Sequence, residues 1–256
     1  MRFGSRGLIL AVAVFGFVGC RSGRPPAKST AIDERGAAGA PAQTRAAIDA
    51  ADPDPAAADA PAAPALTDEP GSDRRPVLVC FGDSLTAGYG TDPGQSYPDD
   101  LQRDLDAAGY KYRVVNAGVS GNTTKDGVGR IDRVLAMHPA AVVVEFGGND
   151  GLRGLPIADS RANLDEIVRR LKAAGAEVAL AGITLPPDYG PDYIRQFNET
   201  YTVIAKKYKV PLLPFLLQGV YGTEGMMQPD RTHATARGNQ VVAQSVMRLV
   251  APMLKK

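Results

Sequence analysis

"VLVCFGDSLTAGYG", residues 77–90, carries an apolar run into Phe81 and then breaks into Gly82, Asp83 and Ser84. An uninterrupted apolar run bounded by a glycine turn reads as a buried strand. A serine just past such a strand, beside a glycine and a carboxylate, is either a nucleophile or an ordinary strand-to-helix turn residue. The rest of the chain decides between the two.

Downstream, apolar runs alternate with amphipathic stretches. "SYPDDLQRDLDAAG" places Leu101, Leu105 and Ala108 at helical spacing and stops at Gly109, a residue suited to the left-handed turn after a helix. Strands are expected at 112–117, 141–146, 177–183 and 210–215, and helices at about 125–137, 159–174, 191–208 and 235–254. The prolines of "VPLLPF" suit an edge strand. Five strands each followed by a helix predict an α/β fold, a three-layer α/β/α sandwich on a five-stranded parallel sheet of flavodoxin-like type. Ligands of such sheets bind beyond the carboxyl ends of the strands. The glycine-rich segments 82–84, 118–122 and 147–150 all fall there.

The amino-terminal part differs in kind. Residues 21–75, rich in Ala, Pro and Asp and devoid of aromatics, cannot bury enough apolar surface to offset their ordering entropy, so a disordered tether is expected. Residues 1–20 combine Arg2 and Arg6 with the apolar run "GLILAVAVFGFV" and end in Phe17-Val18-Gly19-Cys20. That run is short for a bilayer span and fits a secretory signal. The last four residues resemble a bacterial lipobox, with Phe17 where leucine is usual. The resemblance implies lipidation at Cys20 and an envelope location facing the periplasm or the outside. Arg21 after the cysteine favours the outer membrane. Pro76 to Lys256, about 180 residues, has the size of one domain. A net charge of +1 and scattered basic residues give no reason to expect nucleic acid.

A serine hydroxyl needs a base to attack, and the chain has two histidines. His138 precedes the third strand, which puts it at the amino end of the sheet, away from Ser84. His233 follows the last strand, on the same edge as Ser84. Asp230 precedes it by three residues, close enough to hold one imidazole nitrogen while the other addresses Ser84. Acyl transfer also needs donors for an oxyanion. The candidates are the backbone N–H groups of Ser84 and Gly118 and the side-chain amide of Asn149. Asp83, adjacent to the serine, is expected to hydrogen-bond structurally. Cys80 reads as a buried small hydrophobe. Two histidines and one unlipidated cysteine cannot build a usual zinc site, and no cofactor motif is present.

Four blocks, "FGDSLTAGYG", "NAGVSGNTT", "FGGNDGLRG" and "DRTH", together resemble the SGNH, or GDSL, hydrolase family. "GGNDGLRGLP", "LPPDYGPDYIRQFNETY" and "VPLLPFLLQGVYGTEGMMQPD" narrow the resemblance to its thioesterase I, lysophospholipase L1 and arylesterase group, over nearly all of residues 76–256. It implies a serine esterase with a Ser84, His233 and Asp230 triad, an oxyanion hole of Ser84, Gly118 and Asn149, and no cofactor. The substrate is then an acyl ester or thioester, its chain lined by Leu152, Leu155, Ile157, Leu185 and Pro186. Ala234 stands where the family has proline. A polysaccharide O-acetylesterase of the envelope and a catalytically silent binding module are the alternative expectations.

Overall fold

The computed structural model describes residues 73–256. The expected signal sequence, Cys20 and nearly all of the expected tether lie outside the described residues. Arg75 already belongs to the folded part: its guanidinium bonds Asp73 and reaches the carbonyl of Tyr112 at 3.3 Å.

Five strands form the sheet: β1 (Val77–Gly82), β2 (Arg113–Gly118), β3 (Ala141–Glu145), β4 (Glu177–Ala181) and β5 (Leu212–Leu213). They are all parallel, in the order β2-β1-β3-β4-β5. The seven helices of this region are α1 (Ser84–Ala87), α2 (Tyr97–Ala107), α3 (Thr124–Leu135), α4 (Gly148–Leu152), α5 (Ile157–Ala173), α6 (Pro191–Tyr208) and α7 (Ala236–Val250). Helices α2 and α7 pack on each other, as do α3 with α5 and α5 with α6. Right-handed crossovers put these two groups on opposite faces of the sheet. The sequence expectation of an α/β sandwich therefore holds.

Burial follows strand position. Every residue of β1 and β3 is buried, whereas β2 is mostly half-buried and β5 wholly so. Phe81 and Phe146 meet edge to face at 4.9 Å just below the carboxyl edge of the sheet. At the outer edge of β2, side chains cap the outward N–H groups: Gln102 Oε1 accepts from Val114 and Asn116 Oδ1 from Gly118. This closes an edge that would otherwise invite another strand. Capping boxes start α2 (Ser96 with Asp99) and α3 (Thr123 with Asp126), as polar residues before apolar helices should.

The differences from expectation are local. β5 is two residues long instead of six, because Pro211 and Pro214 on either side have no N–H to give to a ladder. α7 ends at Val250, and a single 3-10 turn over Ala251–Met253 holds Pro252. The helices α1 and α4 were not foreseen. At four and five residues they are too short to show a period, yet they start directly after β1 and β3 and shape the carboxyl edge.

α1 lies close against the end of β2. A Cβ at Gly118 would sit 2.2 Å from Ala87 N and 2.6 Å from the Thr86 carbonyl carbon, both backbone atoms that cannot swing aside. Gly118→Ala should therefore lower stability by about 1–3 kcal/mol, read as a shift of the urea midpoint. An unchanged midpoint would mean that α1 is free to move off β2.

Candidate active site

β1 delivers the serine. Asp83 caps α1, its Oδ1 accepting from Leu85 N at 3.0 Å. Ser84 is the first residue of that helix, half-exposed at the carboxyl edge. On the far side, the segment 228–234 closes on itself. Asp230 Oδ1 accepts from the N–H groups of Thr232 and His233 at 2.9 and 3.0 Å. Gln228 N–H bonds the His233 carbonyl, and Met227 bridges Ala234. Gln228 Nε2 donates both to Ala234 O and to Tyr89 O, tying the histidine turn to the loop that follows Ser84. Alanine in place of the family's proline thus leaves the turn closed.

Within this frame His233 Nδ1 lies 2.7 Å from Asp230 Oδ2, and His233 Nε2 lies 2.8 Å from Ser84 Oγ. Hydrogen bonds from the His233 ring and from the backbone N–H groups of His233 and Thr232 outweigh partial burial and hold the Asp230 carboxyl below its usual range. A charged acceptor on one imidazole nitrogen leaves the other as a base toward the hydroxyl. The Tyr89 ring flanks His233, centroid to centroid 4.7 Å. His138, the other histidine, is exposed between α3 and β3 at the opposite edge of the sheet.

The oxyanion donors correct one expectation. Gly118 does not present its N–H to Ser84. Val119 N–H reaches back to Gly82 O, so by strand alternation the Gly118 N–H points outward, where Asn116 Oδ1 takes it at 2.9 Å. Three residues on, Gly121 adopts φ +78°; a Cβ there would meet only the Arg153 guanidinium, at 3.8 Å, and Arg153 Nη2 donates to Gly121 O at 3.1 Å. Among the described residues the N–H groups of Gly121 and Ser84 have no hydrogen-bond acceptor. Asn149, the second residue of α4, points its amide into the same region, donating to Asp83 Oδ2 at 3.1 Å and to Asn122 O at 2.9 Å. Gly121 was missed because "GVSG" offers two glycines and only the direction of the strand end selects one. Asp150, also unremarked in the sequence, anchors α4: it accepts from Thr124 N, Thr124 Oγ1 and Ser160 Oγ.

The five groove candidates separate. Leu152 and Leu155 are exposed, Ile157 and Pro186 are half-buried, and Leu185 is buried against Gly151. Tyr189 Oη donates to Leu152 O, joining the loop after β4 to α4. A depression of about 720 Å³ includes Leu185, Pro187, Pro191 and Ile194 in its wall, and none of Ser84, Asp230 or His233.

Behind the serine lies a buried acidic pair. Glu145, at the end of β3, is fully buried and accepts from Asp83 N and Thr86 Oγ1, while its Oε1 has no partner. Burial pushes Asp83 up to about 6, against hydrogen bonds and the nearby His233 that favour its charge. Burial, reinforced by the Asp83 charge, pushes Glu145 well above the usual carboxylate range. Cys80 is buried beneath them, its thiol raised by burial to about 12, which makes it inert.

Fold and site together define a hydrolase of the SGNH serine esterase type. The chain belongs to the GDSL-like Lipase/Acylhydrolase family, whose model matches residues 80–241. It is 43% identical to Esterase TesA of Pseudomonas aeruginosa over 179 residues, covering 70% of this chain and 89% of the relative. It is 38% identical to the Thioesterase 1/protease 1/lysophospholipase L1 of Escherichia coli, covering 70% and 85%. The crystal structure of TesA superposes with a TM-score of 0.68 at 43% identity, over 70% of this chain and 99% of that one.

The Glu145 proton makes a measurable prediction. The folded protein holds it above the pH at which an unfolded glutamate, near 4.5, releases it. Folding therefore binds a proton, and stability falls as pH rises through that range. Glu145→Gln removes this dependence. Urea denaturation should show the variant's stability rising relative to the parent's as pH increases above about 4. A gap independent of pH would mean that Glu145 is ionised in the fold.

Proposed function

We propose that the protein is a serine acyl esterase in which Ser84 is the nucleophile, His233 the general base and acid, and Asp230 the group that orients and charge-stabilises the imidazole. The observation that carries this reading is the continuous relay Asp230–His233–Ser84, with hydrogen bonds of 2.7 and 2.8 Å. His233 Nε2 takes the hydroxyl proton as Oγ attacks the carbonyl carbon of an ester or thioester. The carbonyl oxygen becomes an oxyanion between the N–H groups of Ser84 and Gly121 and the amide of Asn149. Asn149 turns one N–H from its present acceptors to do so. The tetrahedral adduct collapses, and His233 gives the proton to the departing alcohol or thiol. Water then repeats the sequence on the acyl-enzyme and releases the acid. No step calls for a cofactor.

The substrate class in this reading is acyl esters of the aryl, lysophospholipid or thioester kind. The names of the two relatives, an esterase and a thioesterase–lysophospholipase, support it. So do the exposed Leu152 and Leu155 on and beside α4, the helix that carries Asn149. Cys20 supplies a lipid anchor in the same proposal, placing the domain at the envelope.

p-Nitrophenyl esters from acetate to palmitate test the reading. Ser84→Ala should lower kcat/KM by at least about 10³-fold on every ester. Turnover that survives this change would remove Ser84 as nucleophile. A rate that peaks at medium or long chains supports acyl esters, and one confined to acetate points to a deacetylase. Asn149→Ala should lower kcat by about 10²–10³ with little change in KM. An unchanged kcat would take Asn149 out of the oxyanion hole.

A further inference from the structure

Arg130 lies in the second half of α3, half-buried, and turns inward. Its guanidinium donates to three oxygens: Nη2 to Gly82 O at 2.7 Å, Nη1 to Ala117 O at 2.8 Å, and Nε to Asn122 Oδ1 at 2.6 Å. Its central carbon lies 4.5 Å from the Phe81 ring centroid and 5.4 Å from that of Phe146. Among the described residues it forms no ion pair. Burial pulls its pKa down to about 10, so it remains a cation near neutral pH.

Arg130 spends all three of these bonds on groups at the strand ends, and the identity of the acceptors is informative. Gly82 O ends β1, immediately before Asp83 and Ser84. Ala117 O lies at the end of β2. Asn122 directly follows Gly121, whose N–H is unengaged, and the backbone oxygen of the same Asn122 accepts from the Asn149 amide. One side chain therefore connects the nucleophile turn, the loop carrying Gly121 and, through Asn122, the amide of Asn149. Three acceptors in different directions suit a planar fork, which an ammonium point charge cannot reproduce.

We propose that Arg130 is the positioning residue of the oxyanion hole, its guanidinium fixing the separation between the Ser84 turn and the Gly121–Asn122 loop. This rests on the reading of Ser84, Gly121 and Asn149 as the oxyanion donors. Arg130 touches no reacting atom. It acts by holding donors where the transition state needs them, and misplacement by about 1 Å can cost on the order of 10²-fold in rate.

The test compares Arg130→Lys, Asn122→Ala, their double variant and Ser84→Ala in the whole protein, using p-nitrophenyl butyrate as probe. Arg130→Lys keeps the charge and loses the fork. Asn122→Ala removes one acceptor at a half-exposed position, and it reports even if the lysine variant fails to fold. Arg130→Lys and Asn122→Ala should each lower kcat by about 10- to 100-fold with KM within about twofold and thermal melting nearly unchanged. The double variant should be little slower than the worse single one, because both break the same link. Ethylguanidinium should partly restore kcat to Arg130→Ala. Parental kcat in the folded variants, or losses that follow only the folded fraction, would overturn the proposal. If Ser84→Ala stays active, the site reading itself falls. If Ser84→Ala is dead while Arg130→Lys and Asn122→Ala run at the parental rate, the site reading stands and only the role of Arg130 is lost.

Discussion

The register of three parallel strands is the constraint on which the site depends. Gly82 at the end of β1 pairs with Gly118 of β2 on one side and with Glu145 of β3 on the other. The three strands therefore end at one level, and the loops that leave them start side by side. Ser84, Gly121 and Asn149 come from those loops. Each is only two to four residues beyond a ladder that cannot slip without misplacing the apolar side chains buried along β1 and β3. The histidine arrives separately, on a turn held by its own hydrogen bonds and joined through Gln228 to the loop after Ser84. Precision at the serine thus derives from hydrogen-bonded sheet. Precision at the histidine derives from a short self-closing turn.

The electrostatics of the edge are more demanding than a triad alone requires. Asp83 and Glu145 are both buried next to the nucleophile turn, and a shared ionised state would place two negative charges in a region of low polarity. Retention of the Glu145 proton relieves this, leaving Asp83 as the charged partner that caps α1 and takes a hydrogen bond from Asn149. Arg130, on the other side of Gly82, supplies the balancing positive charge without contacting either carboxylate. The cation stacks on Phe81 and touches Phe146, so the aromatic pair that closes the core also forms the floor under the site.

Family membership and structure agree on the chemistry class and divide the labour differently. Relatives at about 40% identity support an esterase fold and its reaction type. The proposed substrate contacts fall on surface residues such as Leu152 and Leu155, whose exposure the family resemblance does not dictate. Leu185 does two things at once: it packs against Gly151 and forms part of the wall of the depression beside α6.

Much of this protein was legible in the order of its residues. Apolar runs alternating with amphipathic stretches determined the α/β class and the parallel sheet, because strand burial and helix periodicity are local patterns. The scarcity of histidine narrowed the proposed base: with two candidates, strand direction left only His233, and Asp230 followed by spacing. What the chain order could not determine was where a backbone group points. Gly118 and Gly121 are equivalent as letters, and only the pairing of β2 with β1 turns one N–H outward to Asn116 and leaves the other unengaged. The short helices α1 and α4 were likewise invisible, since a single turn has no period. Glu145 and Arg130 carry no motif at all. Their roles arise from contacts across 62 and 48 residues of sequence, and such contacts exist only once the sheet has brought its strand ends together.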